Sequence, residues 1–228
     1  MSESKTIDAS RYTTVSFDCY GTLIDWDSGI LGYMQPMLQS YYINVIDEFV
    51  LEFFSQAEPR AQQDGRSYAE VLGDVVEQFA ARLGFTPDEQ ARRGFAESLA
   101  YWPAFQDSVA ALAKLQQHFQ LAIISNVDDN LFAESAANLK TRFNHVITAG
   151  SVGCYKPDKR IFEAALAKFE GPVLHVAQSR FHDILPATAL GLDTVWINRP
   201  SGGAAAAVDA NPTWTFNTMA EFAAAIEN

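Results

Sequence analysis

The stretch VSFDCYGTLIDWDSG, residues 15–29, begins as a buried strand and then departs from the pattern of one. Asp18 stands where the strand should still be apolar, and Tyr20 and Thr22 follow closely. Because side chains alternate along a strand, we expect Asp18 and Tyr20 on the same side of it. Gly21 permits a sharp turn of the backbone at this point. The stretch therefore predicts a strand whose end carries a reactive carboxylate.

Further apolar, β-branched runs predict strands, and helical patterns lie between them. Strands that are covered on both faces carry such nearly unbroken apolar runs. Strands that alternate with helices are typical of a parallel sheet with right-handed crossovers, so we expect an α/β fold with a Rossmann-like parallel sheet core. The predicted strands are residues 13–20, 121–126, 145–149, 173–178 and 193–198, the predicted helices are 107–118, 128–138, 158–168 and 183–190, and a surface loop is predicted over 201–212.

A long segment of helical pattern separates the first two predicted strands. It is far longer than the usual connection in a compact domain, and Thr86 and Pro87, followed by two acids, mark one helix start within it. We interpret this segment as a helical cap that is inserted into the α/β core. The predicted domains are a core of residues 1–28 and 102–228 and a cap of residues 29–101.

Polar side chains follow four of the predicted strands. In open parallel sheets, ligands bind beyond the carboxyl ends of the strands. Each residue alone has an ordinary structural explanation, such as a helix cap for Asp183 or a turn at Ser125 and Asn126. Their joint placement at one edge predicts a functional site. The residues are Asp18, Tyr20, Thr22, Ser125, Asn126, Lys156, Gln178, Ser179, Arg180 and Asp183.

Four segments resemble, in the same order, the four motifs of the haloacid dehalogenase superfamily. They are FDCYGTLID, LAIISN, YKPDKRIF and VAQSRFHDILPATALGL, and they span nearly the whole chain. The helical insert lies where that superfamily carries its cap. The resemblance implies that Asp18 is a nucleophile and that Lys156 is its electrostatic partner. A carboxylate nucleophile forms a covalent ester, which divides one difficult step into two easier ones.

Tyr20 and Gln178 depart from the pattern of the phosphatases in this superfamily. Those phosphatases usually carry a second Asp two residues after the nucleophile, and it protonates the leaving group. Tyrosine, with an ordinary pKa of ~10, is a poor general acid at neutral pH, whereas a halide ion leaves without a proton. Gln178 stands where phosphatases carry an Asp that helps to hold Mg²⁺, for which a neutral amide is a weaker ligand. Both departures favour a reaction at carbon that uses no metal and no other cofactor.

The resemblance to 2-haloacid dehalogenases predicts hydrolysis of a short 2-haloalkanoate to a 2-hydroxy acid through an aspartyl ester at Asp18. Asp183, near Lys156, is expected to position or deprotonate the attacking water. Trp26 either lines a pocket for a small substrate or seals the core against the cap. The residues expected to bind the small anionic haloacid or to line its pocket are Tyr20, Thr22, Trp26, Ser125, Asn126, Phe162, Ser179 and Arg180.

Several features of the related dehalogenases are replaced or unplaced in this sequence. Those enzymes resemble one another in a cap arginine that contacts the substrate, and Arg60 and Arg66 are the candidates here. Each is also explained as a solvated arginine at a helix end. Phe162 stands where these dehalogenases often carry Tyr, and Gln178 and Arg180 stand where they often carry Ser and Asn.

Composition limits the possible partners. The chain has 228 residues, a formal net charge of −12 and two cysteines. Nucleic acids and anionic membranes bind basic surfaces, so neither is expected as a partner. The polar start of the chain, the lack of a long apolar run and the low cysteine content predict the cytoplasm. The resemblance also suggests a homodimer.

Two alternatives remain open from the sequence. A Mg²⁺-dependent phosphatase for a small metabolite would use the same scaffold and the same nucleophile. A catalytically silent protein that retained the fold would bind a ligand or a partner without performing chemistry. The motifs do not predict the halogen, chain length or stereochemistry of a haloacid substrate, because these depend on side chains of the cap.

Overall fold

In the computed structural model, which describes residues 6–62, 65–200 and 209–227, the strand of the opening motif lies inside a parallel sheet. All of its residues are buried, as expected for a strand that is covered on both faces. Within the described residues this sheet has six strands, and a second sheet has two. In chain order the strands are β1 (Ile7–Asp8), β2 (Thr14–Phe17), β3 (Gln120–Ser125), β4 (His145–Thr148), β5 (Val173–Ala177), β6 (Asp193–Ile197), β7 (Trp214–Phe216) and β8 (Ile226–Glu227).

The order of the strands brings three of their carboxyl ends together. The large sheet runs β4-β3-β2-β5-β6-β7 and is parallel throughout, whereas β1 pairs with β8 in the small sheet. Phe17 of β2 lies opposite Ile123 of β3 and Val176 of β5. The connections change direction at β2, and open parallel sheets bind their ligands at such a switch point. Asp18 follows β2 at this point.

Helices fill the connections between the strands. In chain order they are α1 (Trp26–Ser40), α2 (Asp47–Ala61), α3 (Tyr68–Leu83), α4 (Glu89–Glu97), α5 (Ser108–Leu115), α6 (Asp129–Leu139), α7 (Ala149–Val152), α8 (Lys159–Leu166), α9 (Leu185–Ala189) and α10 (Met219–Ala224). The ends of α3 follow from local sequence signals. A capping box of Ser67 and Glu70 begins the helix, and Gly84, with a left-handed φ of 79°, ends it.

The helices α1 to α4 lie between β2 and β3 in the chain and pack against one another. Phe54 of α2, Phe79 of α3 and Phe95 of α4 are at most 1% exposed, so these helices share an apolar core. The rings of Phe54 and Phe95 meet edge to face with centroids 5.9 Å apart. This insert and the parallel sheet confirm the predicted fold class. The division into a core of 1–28 and 102–228 and a cap of 29–101 stays a prediction.

The structure differs from the sequence prediction in several elements. The strand predicted over residues 13–20 is β2, and it ends at Phe17 instead of Tyr20. The chain turns there because the Cys19 carbonyl accepts the N–H groups of Leu23 and Ile24. The strands β1, β7 and β8 and the helix α10 were not predicted from the sequence. Of the predicted loop over 201–212, residues 201–208 lie outside the described residues. No helix in the described part of the chain combines the length and apolar character that a membrane span requires.

Two glycines of α1 offer a test of this packing. A Cβ atom at Gly29 would lie 2.3 Å from the ring of the buried Trp102, whereas one at Gly32 would meet no atom within 4 Å. We expect Gly29→Ala to lower the free energy of unfolding by about 1–3 kcal/mol, because the ring must move. Gly32→Ala is expected to raise it by about 0.5–1 kcal/mol, because alanine favours the helix. Urea denaturation measures both, and a Gly29→Ala variant as stable as the wild type would contradict the packing of Trp102 on α1.

Candidate active site

Asp18 is held by donors on both of its carboxylate oxygens. The residue is 7% exposed. Its Oδ1 accepts a hydrogen bond from Lys156 Nζ at 2.8 Å, and its Oδ2 accepts one from Thr22 Oγ1 at 2.6 Å. The Thr22 hydroxyl in turn accepts the backbone N–H of Gln178 at 2.9 Å. Gly21, with a φ of 87°, permits the turn that brings Thr22 back to Asp18. The carboxylate is therefore fixed before any ligand binds.

All three ammonium protons of Lys156 have acceptors within the protein. Its Nζ lies 2.8 Å from Asp18 Oδ1, 2.7 Å from Asp183 Oδ1 and 2.9 Å from the carbonyl oxygen of Ile124. The lysine is 2% exposed. Because an ammonium group has three donors, Lys156 has no proton left for a ligand in this arrangement. It acts on the site through its charge.

Asn126 fixes the backbone of Lys156. Its side-chain oxygen accepts the N–H of Lys156 at 2.6 Å, and its side-chain nitrogen donates to the carbonyl of the same residue at 3.1 Å. The sequence analysis assigned Asn126 to the substrate. The structure places it in the lining of the pocket, but its amide is used to position the lysine.

Behind the lysine, a buried chain of polar groups continues from Asp183. Its Oδ1 lies 3.1 Å from His175 Nε2, and His175 Nδ1 lies 2.9 Å from Ser16 Oγ. The sequence motifs do not indicate this network, and the signal that could have revealed it is the polar ring of His175 inside the otherwise apolar strand β5. Phe162 packs edge-on against the His175 ring at 5.3 Å and does not line the pocket.

The three charged groups shift one another's pKa values. Burial raises the pKa of Asp18; the charge of Lys156 opposes this effect, and that of Asp183 adds to it. For Asp183, burial is outweighed by Lys156 and His175, so its pKa is lowered. For Lys156, burial is outweighed by the two carboxylates, so its pKa is raised. The lysine is therefore charged, Asp183 is ionised, and Asp18 is the more basic carboxylate.

These groups form the floor of a pocket between the core and the helical insert. Its volume is about 330 Å³, a size that suits a small ligand. The core contributes most of the polar groups, and α1, α2 and the start of α3 contribute a largely apolar wall. The lining residues are Asp18, Tyr20, Trp26, Phe54, Ser55, Glu58, Pro59, Tyr68, Ser125, Asn126, Lys156, Gln178, Ser179, Arg180, Phe181, His182 and Asp183.

Three buried polar atoms at the pocket have no hydrogen-bond partner among the described residues. They are Ser125 Oγ, Arg180 Nε and Asp183 Oδ2. Buried polar atoms are costly unless they are paired, so each is suited to a ligand or a water molecule. Ser125 and Arg180 supply donors, and Asp183 supplies an acceptor.

The segment that follows β5 forms one side of the pocket. Arg180 donates to the carbonyl of Ala210 at 2.9 Å and stacks on the ring of Trp196 at 5.1 Å. Ser179 Oγ accepts the N–H of His182 at 3.1 Å and so begins a π-helical turn. Burial lowers the pKa of His182, which keeps this imidazole neutral at pH 7.

The Tyr20 hydroxyl is committed to Ser135 of α6. The two oxygens lie 2.8 Å apart. Either oxygen can be the donor, and Ser135 Oγ also lies 3.1 Å from the carbonyl oxygens of Leu99 and Leu131. Burial raises the pKa of Tyr20 well above its ordinary value. The Tyr20 ring lines the pocket, and its hydroxyl, which is engaged with Ser135, is a weak acid.

Neither candidate cap arginine lines the pocket. Arg60 is exposed on α2, and Arg66 forms an ion pair with Asp74 at 2.7 Å. The charged residue that α2 places in the pocket is Glu58, and burial raises its pKa to about 7. The sequence analysis missed Glu58, although its helical spacing from Phe54 places both on one face of α2.

The carboxylates at the site do not form a recognisable metal centre. Within the described ranges, no group of three or more His, Cys, Asp or Glu side chains is arranged to hold a metal ion. Asp18 and Asp183 share the Lys156 ammonium, and the neighbouring Gln178 offers a neutral amide. The described residues at the site therefore do not fit a metal ion.

Two bacterial enzymes are similar to this chain in sequence. The chain is 25% identical over 159 residues to an (S)-2-haloacid dehalogenase of Pseudomonas sp. (strain YL), covering 67% of this chain and 68% of that protein. It is 26% identical over 228 residues to the pyrimidine 5′-nucleotidase YjjG of Escherichia coli (strain K12), covering 92% and 96%.

The solved structures show the same fold. The L-2-haloacid dehalogenase from Xanthobacter autotrophicus, with chloropropionic acid covalently bound, superimposes with a TM-score of 0.78 at 18% identity over 93% of this chain and 97% of that one. Residues 12–180, most of the chain, match the haloacid dehalogenase-like hydrolase family. The protein described here therefore belongs to the haloacid dehalogenase-like hydrolases.

Proposed function

We propose that the protein is a hydrolytic 2-haloacid dehalogenase that acts through an ester of Asp18. The observation that carries this proposal is the combination of a fixed carboxylate and a Tyr20 hydroxyl that is committed to Ser135. Phosphate-ester cleavage requires an acid to protonate the leaving alkoxide. A halide leaves as a stable anion, so a site whose residue two positions after the nucleophile is a tyrosine instead of an acid suits a carbon–halogen bond.

In the first step, an oxygen of Asp18 attacks the α-carbon of a short 2-haloalkanoate opposite the halogen. The new carbon–oxygen bond forms while the carbon–halogen bond breaks, and the halide takes the bonding electron pair. The product of this step is an aspartyl ester. The charge of the Lys156 ammonium favours the ionised form of Asp18, and the hydrogen bond from Thr22 holds its orientation.

In the second step, water attacks the carbonyl carbon of the Asp18 side chain. Asp183 accepts the proton of this water, because its Oδ2 is buried at the pocket with no partner in the described residues. The acyl–oxygen bond of the ester then breaks, the 2-hydroxy acid leaves with one original oxygen of Asp18, and its alkoxide takes up the proton. The water oxygen remains in the Asp18 carboxyl group, which releases the second water proton to solvent and so becomes a carboxylate again.

The pocket offers both a polar and an apolar side for a small haloacid. Ser125 Oγ and Arg180 Nε are buried donors without a partner in the described residues, and they are suited to the substrate carboxylate. Trp26 and Phe54, which meet edge to face with centroids 5.8 Å apart, form an apolar wall for the carbon chain and the halogen. The similarity to the Pseudomonas (S)-2-haloacid dehalogenase supports this substrate class.

The second candidate is a metal-dependent phosphatase for a small metabolite. The similarity to the Escherichia coli pyrimidine 5′-nucleotidase favours it, because that similarity covers 92% of the chain. The two candidates share Asp18 as nucleophile but differ in the atom attacked and in the leaving group. An assay with both substrate classes therefore separates them.

Halide release without a divalent metal tests the proposed reaction. With EDTA present, we expect the wild type to release chloride from 2-chloropropionate and Asp18→Asn to lose about 10³-fold or more of this activity, because the nucleophile is removed. Glu163→Gln, at an exposed site on α8, is the matched control and should equal the wild type. Cleavage of p-nitrophenyl phosphate that requires Mg²⁺, without any halide release, would instead establish the phosphatase.

The replacement Asp183→Asn should separate the two steps. The amide cannot accept the water proton, so we expect the ester at Asp18 to accumulate while its hydrolysis slows by about 10²-fold or more. Intact-mass spectrometry after addition of 2-chloropropionate should show one added carboxyethyl group, which peptide mapping assigns to Asp18. The thermal midpoint of the variant is measured in parallel to confirm folding. A folded variant that turns over at the wild-type rate would contradict the role of Asp183.

A further inference from the structure

Glu58 is the one acidic side chain that the helical insert contributes to the described lining of the pocket. It lies on α2, one turn after Phe54, and it is half-buried. The Gln62 side chain donates to its Oε1, and a second hydrogen bond joins it to the Tyr68 side chain at the start of α3. These contacts hold the carboxyl group at the pocket.

The charges around the pocket balance without Glu58. With Asp18 ionised, as the proposed reaction requires, Asp18 and Asp183 are negative, Lys156 and Arg180 are positive, and His182 is neutral because burial lowers its pKa. An anionic substrate adds one negative charge to this neutral set. An ionised Glu58 would add a further negative charge, and like charges at short range in a low-dielectric pocket repel strongly.

We propose that Glu58 is a specificity-determining residue that binds the substrate carboxylate as a neutral carboxylic acid, so that the pocket accepts an anion only while Glu58 is protonated. This inference rests on the proposed function for the substrate class, a short haloacid. A protonated carboxyl group has one O–H donor, and a substrate carboxylate is a strong acceptor for it. The insert thus contributes a proton-carrying donor in place of an arginine.

The tyrosines that face Glu58 do not change charge near neutral pH. Tyr68 of α3 and the nearby Tyr155 stay protonated, because burial raises both of their pKa values. From α1 the pocket receives Trp26, which does not titrate. Across the pocket stand the charged Asp18, Asp183, Lys156 and Arg180 and the neutral His182, described above.

The protonation state of Glu58 determines how anion binding changes with pH. Burial raises the pKa of Glu58 to about 7, although the hydrogen bond to Tyr68 lowers it. Below that pH the acid is neutral and ready to donate. Above it, an anion binds only when the site also takes up a proton, so the apparent affinity falls about 10-fold per pH unit. A neutral ligand has no such requirement.

The test compares the wild type with Glu58→Gln, which keeps the shape and a donor but does not titrate. Binding of propionate is measured by calorimetry, and KM and kcat for 2-chloropropionate are measured in parallel, from about pH 6 to about pH 8.5. We expect the wild-type Kd and KM to rise about 10-fold per unit above pH 7 with little change in kcat, and those of Glu58→Gln to stay constant. Glu52→Gln, at an exposed site on the same helix, should behave as the wild type.

The possible outcomes separate this inference from the proposed function. Wild-type values that do not change with pH, a Glu58→Gln variant that follows the wild type, or no binding of propionate at pH 6 would each overturn the role of Glu58. Halide release with a KM that does not change with pH would support the proposed reaction and contradict the role of Glu58. Binding of propionate that weakens above pH 7, without halide release, would support the role of Glu58 and contradict the proposed dehalogenase activity. Alkylation of Asp18 by 2-chloropropionamide, a neutral compound, should show no loss above pH 7.

Discussion

The rest of the site depends on the two ion pairs that the Lys156 ammonium forms. It joins two carboxylates from different segments of the chain, Asp18 and Asp183, at 2.8 and 2.7 Å, and the three side chains are almost fully buried. Two carboxylates this close would repel each other without the cation between them. Removing one partner of a buried, hydrogen-bonded ion pair leaves an uncompensated charge, which costs about 3–5 kcal/mol. Asn126 fixes the backbone of the lysine, so the position of the cation does not depend on the ion pairs alone.

The helical insert is attached to the sheet close to this ion cluster. Asp128, which follows β3, accepts the backbone N–H groups of Tyr68 and Ala69 at 3.0 Å each and so caps α3 from the core. The Tyr155 hydroxyl donates to the carbonyl of Arg66 in the same region. These contacts fix the start of α3 over the pocket, and α3 in turn holds Glu58 through Tyr68. The insert therefore closes the pocket with its own polar group in a set position.

The sequence predicts what depends on strand order, and it misses what depends on packing between distant segments. Asp18 and Lys156 are recognisable because each follows a strand of a parallel sheet, and their juxtaposition follows from topology. No local sequence pattern indicates that Asn126 fixes Lys156, because this hydrogen bond joins two different loops. His175 has the spacing of a core residue and gains a polar role only through its contact with Asp183. Glu58 belongs to an ordinary amphipathic helix until α2 packs over the pocket.

Covalent catalysis by Asp18 is the central claim, and a single turnover in H₂¹⁸O tests it most directly. Enzyme in excess of 2-chloropropionate should transfer an unlabelled oxygen from Asp18 to the first molecule of lactate. The label should then be found in the Asp18 side chain, because water attacks its carbonyl carbon. Label in the lactate of the first turnover, with none in Asp18, would show that water attacks the substrate directly and would contradict the account.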